Sequence, residues 1–202
     1  MYNQLVIKSY NDKREMIKNT QKPQEIAQVL SAGGIVLLPT ETLYGIGCDA
    51  TNPQALLKIY KLKQRPFGKA FPILVRDIKM LADYANFNAD QKKAILAAKQ
   101  PTNFVLKAKN LSPLTTQKHT AAFRIAKHLF IKRIFKYFDK PIVATSANVS
   151  KQEPIADPAL YRDAFGRDAE LIDAVVFAGI NRKKKGSRII DLTKKPYSVL
   201  RA

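Results

Sequence analysis

Short, nearly unbroken apolar runs constrain this chain most. Gly34-Ile35-Val36-Leu37-Leu38-Pro39 is apolar throughout and is closed by glycine and proline. Pro141-Ile142-Val143-Ala144-Thr145 repeats the pattern further along. Strict alternation would mark a half-buried strand, whereas a continuous run between breakers marks a strand covered on both faces. Around these runs the pattern changes period. A helix starts at Pro23 and runs on through Ala27 to Leu30, with Gly33 and Gly34 as its stop. Residues 40–50 read as a loop, and Asn52-Pro53 opens a helix through Leu62. Phe71 to Val75 reads as a strand, Asp77 can cap a short helix, and a further helix spans 89–99. Asn103 to Ala108 and Ala121 to Ala126 read as strands, and a helix follows from His128 to Tyr137. Residues 146–157 form a polar loop, and a helix near 158–165 leads to strands near 171–177, 187–192 and 197–200. Helices and strands alternate, yet several strands follow one another directly. The expected class is therefore α/β, with a twisted mixed parallel and antiparallel open sheet flanked by helices.

The 202 residues, 46% of them hydrophobic, are enough for one sizeable core, so residues 1–202 are expected to form one domain. Residues 1–20 read as a loosely packed extension. Lys and Arg total 35 against 16 Asp and Glu, a net charge of +19. Such a field gathers polyanions: nucleotides, pyrophosphate, RNA or an anionic membrane. Cys48 is the single cysteine, so no intrachain disulfide can form, and with two histidines it cannot complete a closed zinc site. Cys48 reads as packing, and no metal site is expected. The N-terminus MYNQLVIKSYNDKRE has no apolar core of a signal peptide, and no window approaches ~18 consecutive apolar residues. The expected place is the cytoplasm, with no membrane partner.

Two phosphate-binding patterns can be set aside. Gly68-Lys69-Ala70 lacks the hydroxyl residue and the upstream glycine of a P-loop. Gly45-Ile46-Gly47-Cys48-Asp49-Ala50 matches the dinucleotide fingerprint in letters only. Five residues separate it from Pro39, Pro53 delays the next helix, and basic residues Arg65 and Lys69 occupy the region of the expected acid.

Five segments carry the chemistry. They are Pro39-Thr40-Glu41-Thr42-Leu43-Tyr44-Gly45-Ile46-Gly47-Cys48-Asp49; Lys61-Leu62-Lys63-Gln64-Arg65-Pro66-Phe67-Gly68-Lys69; Phe123-Arg124-Ile125; Pro141 through Thr145-Ser146-Ala147-Asn148-Val149-Ser150; and Gly186-Ser187-Arg188-Ile189-Ile190-Asp191-Leu192, with Arg201 beyond. In order and spacing they resemble the threonylcarbamoyl-AMP synthase (YrdC-like) family over residues 22–201. The resemblance implies a YrdC/RibB-like fold with a large, basic, concave cavity, in a short form without a further C-terminal domain. It implies that L-threonine and bicarbonate or CO2 form a carbamate, which attacks the α-phosphate of ATP. Pyrophosphate leaves, and threonylcarbamoyl-AMP remains. It further implies Mg2+ carried in with ATP, hand-over to a tRNA threonylcarbamoyl-transferase complex, and tRNA as a further possible partner, for N6-threonylcarbamoyladenosine synthesis.

The reaction needs no protein nucleophile, because the carbamate is one. It needs two anions held together and charge stabilised on departing pyrophosphate, which calls for positioned cations. By the resemblance, Lys63, Arg65 and Lys69 are the catalytic cations on phosphate and carbamate. Thr40, Glu41, Thr42, Tyr44, Arg124, Thr145, Ser146, Asn148, Ser187 and Arg201 are the expected binding residues. Ser146 and Asn148, one residue apart on extended chain, can face one side. Arg182-Lys183-Lys184-Lys185 reads as a solvated run that could also touch tRNA. Two places depart from the family. Its Pro-Gly-Pro-x-Thr stretch reads Lys99-Gln100-Pro101-Thr102-Asn103 here, and Lys151 stands where a glycine follows serine, a position that often needs positive φ. A non-catalytic RNA- or ribosome-binding protein, or a paralogue acting on another carbamoyl or adenylate substrate, are the competing readings.

Overall fold

A computed structural model describes residues 20–181 and 186–202. Residues 1–19 of the expected N-terminal extension and the Arg182–Lys185 run therefore lie outside the described residues. The apolar run at 34–39 forms strand β1 (Val36–Pro39), every residue of it buried. It turns back at once into β2 (Tyr44–Asp49), also wholly buried. The turn is closed by Thr40, whose amide and hydroxyl both donate to the Leu43 carbonyl. Residues 44–49 are thus strand, not the loop expected from sequence. Two glycines lower strand propensity, but pairing on both sides overrides it. Helix α1 (Pro23–Ser31) opens on its proline and buries Ile26, Ala27, Val29 and Leu30. Gly33, at φ +74°, ends it. Helix α2 (Pro53–Leu62) is capped by Asn52, whose side chain accepts from the Ala55 amide at 3.1 Å.

β3 (Ile73–Val75), α3 (Ile78–Tyr84) and the two-residue β4 (Ala85–Asn86) follow. Asp77 caps α3 as its position suggested. Helix α4 (Ala89–Ala97) begins with a capping box: Asn88 accepts from Gln91 N, and Gln91 accepts from Asn88 N. Then come β5 (Thr102–Ala108), β6 (Thr120–Ile125), α5 (Leu129–Ile134), β7 (Ile142–Ser146), α6 (Tyr161–Phe165), β8 (Ala174–Val175), β9 (Arg188–Asp191) and β10 (Ser198–Arg201). Helix α5 is shorter than expected, and short 3₁₀ turns flank α6.

The ten strands make one mixed sheet, in the order β10-β9-β5-β6-β3-β7-β2-β1-β8, with β4 on β5. The pairs β3–β6, β5–β9 and β1–β8 are parallel and the others antiparallel. This gives the expected α/β class with a mixed open sheet. No helix among the described residues is long and apolar enough to cross a membrane.

Candidate active site: an arginine-lined cavity on the sheet

A cavity of about 530 Å³ opens on one face of the sheet. Side chains alternate across a strand, so residues two apart share a face. Asn103 and Val105 of β5, Ala122 and Arg124 of β6, and Ala144 and Ser146 of β7 all line it. The β1–β2 turn, the 65–72 loop, the chain at 186–189 and the end of β10 close its sides. The lining holds three arginines, Arg65, Arg124 and Arg201, and no aspartate or glutamate among the described residues.

Of the thirteen expected site residues, Thr40, Thr42, Tyr44, Arg65, Arg124, Thr145, Ser146, Ser187 and Arg201 line this cavity. Lys63, Lys69, Glu41 and Asn148 do not.

Arg124 is held from two sides. Its Nη1 donates to the Ser187 hydroxyl, and Nη2 lies 3.3 Å from Glu41 Oε2. Only 8% of its side chain is exposed, so an unpaired charge here would be costly. Glu41 supplies the countercharge from behind the wall. Its Oε1 also accepts from the amide of His128 at 2.7 Å and from that of Lys127. Burial pushes the Glu41 carboxyl up, but Arg124 and these amides outweigh it and leave its pKa below the usual value. Glu41 is therefore an anchor for an arginine, not a wall of the cavity. Arg201 completes the corner, with Nε donating to the Ser187 carbonyl at 2.8 Å.

Arg65 folds back on its own loop. Nε donates to Lys69 O at 2.8 Å, Nη2 to Ala70 O at 3.2 Å, and the guanidinium lies over the Phe71 ring at 5.0 Å. Lys69 thus contributes its carbonyl to the loop, while the residue itself is exposed. The loop turns through Gln64 at φ +46° and Gly68 at φ +86°.

Lys63 is the C-cap of α2 and is 2% exposed. Its Nζ meets Ser146 O at 2.6 Å, Asn148 O at 2.7 Å and Asn148 Oδ1 at 3.2 Å. Burial, with a smaller push from Arg65, pulls its pKa down to about 7. The same Asn148 oxygen accepts from the Ser146 hydroxyl at 2.6 Å, and its Nδ2 donates to Val149 O and Gln152 O. Lys63 and Asn148 thus form the underside of the turn that presents Ser146 to the cavity. Equal spacing put Ser146 and Asn148 on one side in the sequence reading, but β7 ends at Ser146 and the chain turns before Asn148. Past that turn, Lys151 adopts φ +73°, a left-handed conformation that glycine adopts most readily.

Tyr44 touches the cavity and also ties down a neighbouring segment. Its hydroxyl accepts from Ala178 N at 3.0 Å and donates to Gly179 O at 2.8 Å. Cys48 is fully buried, and burial raises its thiol pKa well above the usual value, which fits packing and not reactivity. Asn103, Gln117 and Thr120 line the cavity without having been expected there. For Asn103 the signal was present, since the 99–103 stretch departs from the family pattern.

The Sua5/YciO/YrdC family model, described as telomere recombination, matches residues 28–202. A threonylcarbamoyl-AMP synthase from Photobacterium profundum is 35% identical over 155 residues, covering 74% of this chain and 84% of that protein. The P. abyssi Sua5 structure in complex with L-threonine superposes with a TM-score of 0.82 at 26% identity, covering 92% of this chain. The match takes in 56% of the Sua5 chain, so the present chain spans little more than half of it. E. coli YciO shares the fold, with a TM-score of 0.79 at 22% identity and more than nine-tenths of both chains covered. With motifs, fold and family model in agreement over nearly all its length, the chain belongs to the Sua5/YciO/YrdC family.

Proposed function

We propose that this chain is an L-threonylcarbamoyladenylate synthase, which joins L-threonine, bicarbonate or CO2, and ATP into threonylcarbamoyl-AMP and pyrophosphate. The observation that carries the reading is the cavity itself. Arginines from three segments far apart in sequence meet around one hollow with hydroxyls from Thr42, Thr145 and Ser146.

The chemistry follows from that set. A carbamate oxygen of N-carboxythreonine attacks the α-phosphorus of ATP, and the bond to the bridging oxygen of pyrophosphate breaks. Both reactants are anions, so most of the barrier lies in assembling them and in charge on the leaving group. Guanidinium groups fork onto phosphate and carboxylate oxygens and are preorganised where Glu41 and Ser187 fix them. Among the described residues, Arg65, Arg124 and Arg201 are the cations with direct access. Lys63 acts through the Ser146–Asn148 turn, and Lys69 lies on the loop that carries Arg65. Mg2+ enters with ATP as a substrate complex. The adenylate is the kind of mixed anhydride that a tRNA threonylcarbamoyl-transferase complex consumes, and tRNA adenosine is the final acceptor.

The test is direct. Purified protein with ATP, Mg2+, bicarbonate and threonine should release pyrophosphate, and release should fall to background when threonine or bicarbonate is omitted. A folded protein that releases none with the full mixture would overturn the proposal.

A further inference from the structure

Asn103 lines the cavity and is only 2% exposed. Its Oδ1 has no hydrogen-bond partner among the described residues. Its neighbour Thr102 points to the other face and satisfies itself on Gln100 O at 3.1 Å. A buried amide oxygen left unpaired is costly, so native chains rarely keep one without a use. β5 and β6 pair antiparallel with Phe104 opposite Phe123, and one step further in that register Asn103 faces Arg124. Arg124 carries a matching vacancy: its Nε is buried and has no partner. An acceptor and a donor therefore stand on adjacent strands in one cavity wall, and they do not bond to each other. Ile189 lies on the other side of Asn103, paired with it in β9, and it also lines the cavity.

We propose that Asn103 is a specificity-determining residue that hydrogen-bonds the polar side chain of the small amino-acid substrate whose carboxylate Arg124 receives. The inference rests on the synthase reading for the identity of the reaction. The pairing needs a ligand with an anionic end and a hydrogen-bonding group a few bonds away, which a hydroxyl amino acid supplies and a purely aliphatic one does not. Ile189 meets the aliphatic part. In a site built this way, an analogue lacking the hydroxyl leaves the carboxamide unpaired in the bound state, so discrimination arises from the unmet group.

Threonine and valine are nearly the same shape and differ in one hydroxyl, which makes them the probe pair. Amino-acid-dependent pyrophosphate release should favour threonine over valine in kcat/KM by on the order of tenfold to a hundredfold. Asn103→Leu, close in shape and without the amide, should bring that ratio to within roughly threefold. The ligand-free Tm of this variant should hold or rise, because an unsatisfied buried group has been removed. Asn103→Ala, which also removes the amide, should likewise lose most of the preference and serves if Asn103→Leu fails to fold; a wild-type preference in it would overturn the inference. Unchanged discrimination in Asn103→Leu would overturn the inference while leaving the synthase reading intact. Should the wild-type protein release no pyrophosphate with either amino acid, the synthase reading falls, and calorimetric binding of threonine and valine decides the role of Asn103. Equal affinity for the two would then overturn it.

Discussion

Lys63 shows how far one residue's setting can differ from its motif. Three oxygens within 3.2 Å match the three N–H groups of an ammonium and favour the charged form. Burial opposes it and prevails, which is why the pKa is drawn from 10.5 to about 7. The sign of the consequence is fixed. Between pH 7 and 10.5 the unfolded chain holds a proton on this amine that the folded chain has released, so folding stability rises with pH across that window. Below pH 7 both states carry the charge, and the native state bears its full burial cost. Urea melts of the wild type and of Lys63→Met at pH 7 and pH 9.5 read this term alone, since other titrating groups are common to both. The wild-type stability should gain on the variant as pH rises. Parallel behaviour at the two pH values would show that the oxygen cage keeps the ammonium charged after all. Arg124 has the opposite arrangement, a buried cation whose countercharge, Glu41, stands within 3.3 Å.

At the scale of elements, β2 is the instructive case. Its Gly-x-Gly resembles a phosphate loop in letters, but the glycines serve close approach between strands. β2 pairs with β7 with Gly45 opposite Ser146 and Gly47 opposite Ala144. A Cβ on Gly47 would meet the Val143 carbonyl oxygen at 3.0 Å, and one on Gly45 the Thr145 carbonyl oxygen at 3.1 Å. Both neighbours are backbone, which cannot swing aside. Gly47→Ala should therefore destabilise the protein by about 1–3 kcal/mol, the usual cost of overpacking, and chemical denaturation would measure it. A loss under about 0.5 kcal/mol would mean that the strands can part at small cost. The same strand marks what could be read from the sequence. β1, α2 and β7 were legible because apolar runs and a proline-led helix start are local signals. β2 was not, because its two glycines weaken the local signal and one of its two partners, β7, lies far along the chain. Arg65, Ser146 and Ser187, singled out from the motifs, do line the cavity. The inward path of Lys63, the anchoring role of Glu41 and the cavity face of Asn103 depend on where strands end and which face they present, which spacing alone does not carry.

At the scale of the whole molecule, two kinds of positive charge act over different ranges. The net +19 is spread over the entire chain, while among the described residues three arginines line the cavity. The distributed charge works through the solvent, where the screening length is about 10 Å at 0.1 M salt and about 3 Å at 1 M. The cavity arginines act at hydrogen-bond distance in partly desolvated surroundings, where salt screens little. A nucleotide should therefore feel the two at different stages. On the proposed reading, distant lysines should speed its approach and the cavity arginines should hold it once seated. Stopped-flow binding of ATP should show an association rate that falls steeply between 50 mM and 500 mM salt while the dissociation rate changes much less. Charge removal should separate the terms as well. Neutralising exposed lysines outside the cavity lining, such as Lys132 and Lys136 around α5, should lower the association rate and its salt slope and leave dissociation nearly unchanged. Arg201→Ala should instead raise the dissociation rate at every salt concentration. If salt acted mainly on dissociation, the bound nucleotide would lie in open solvent across the basic surface, outside the cavity.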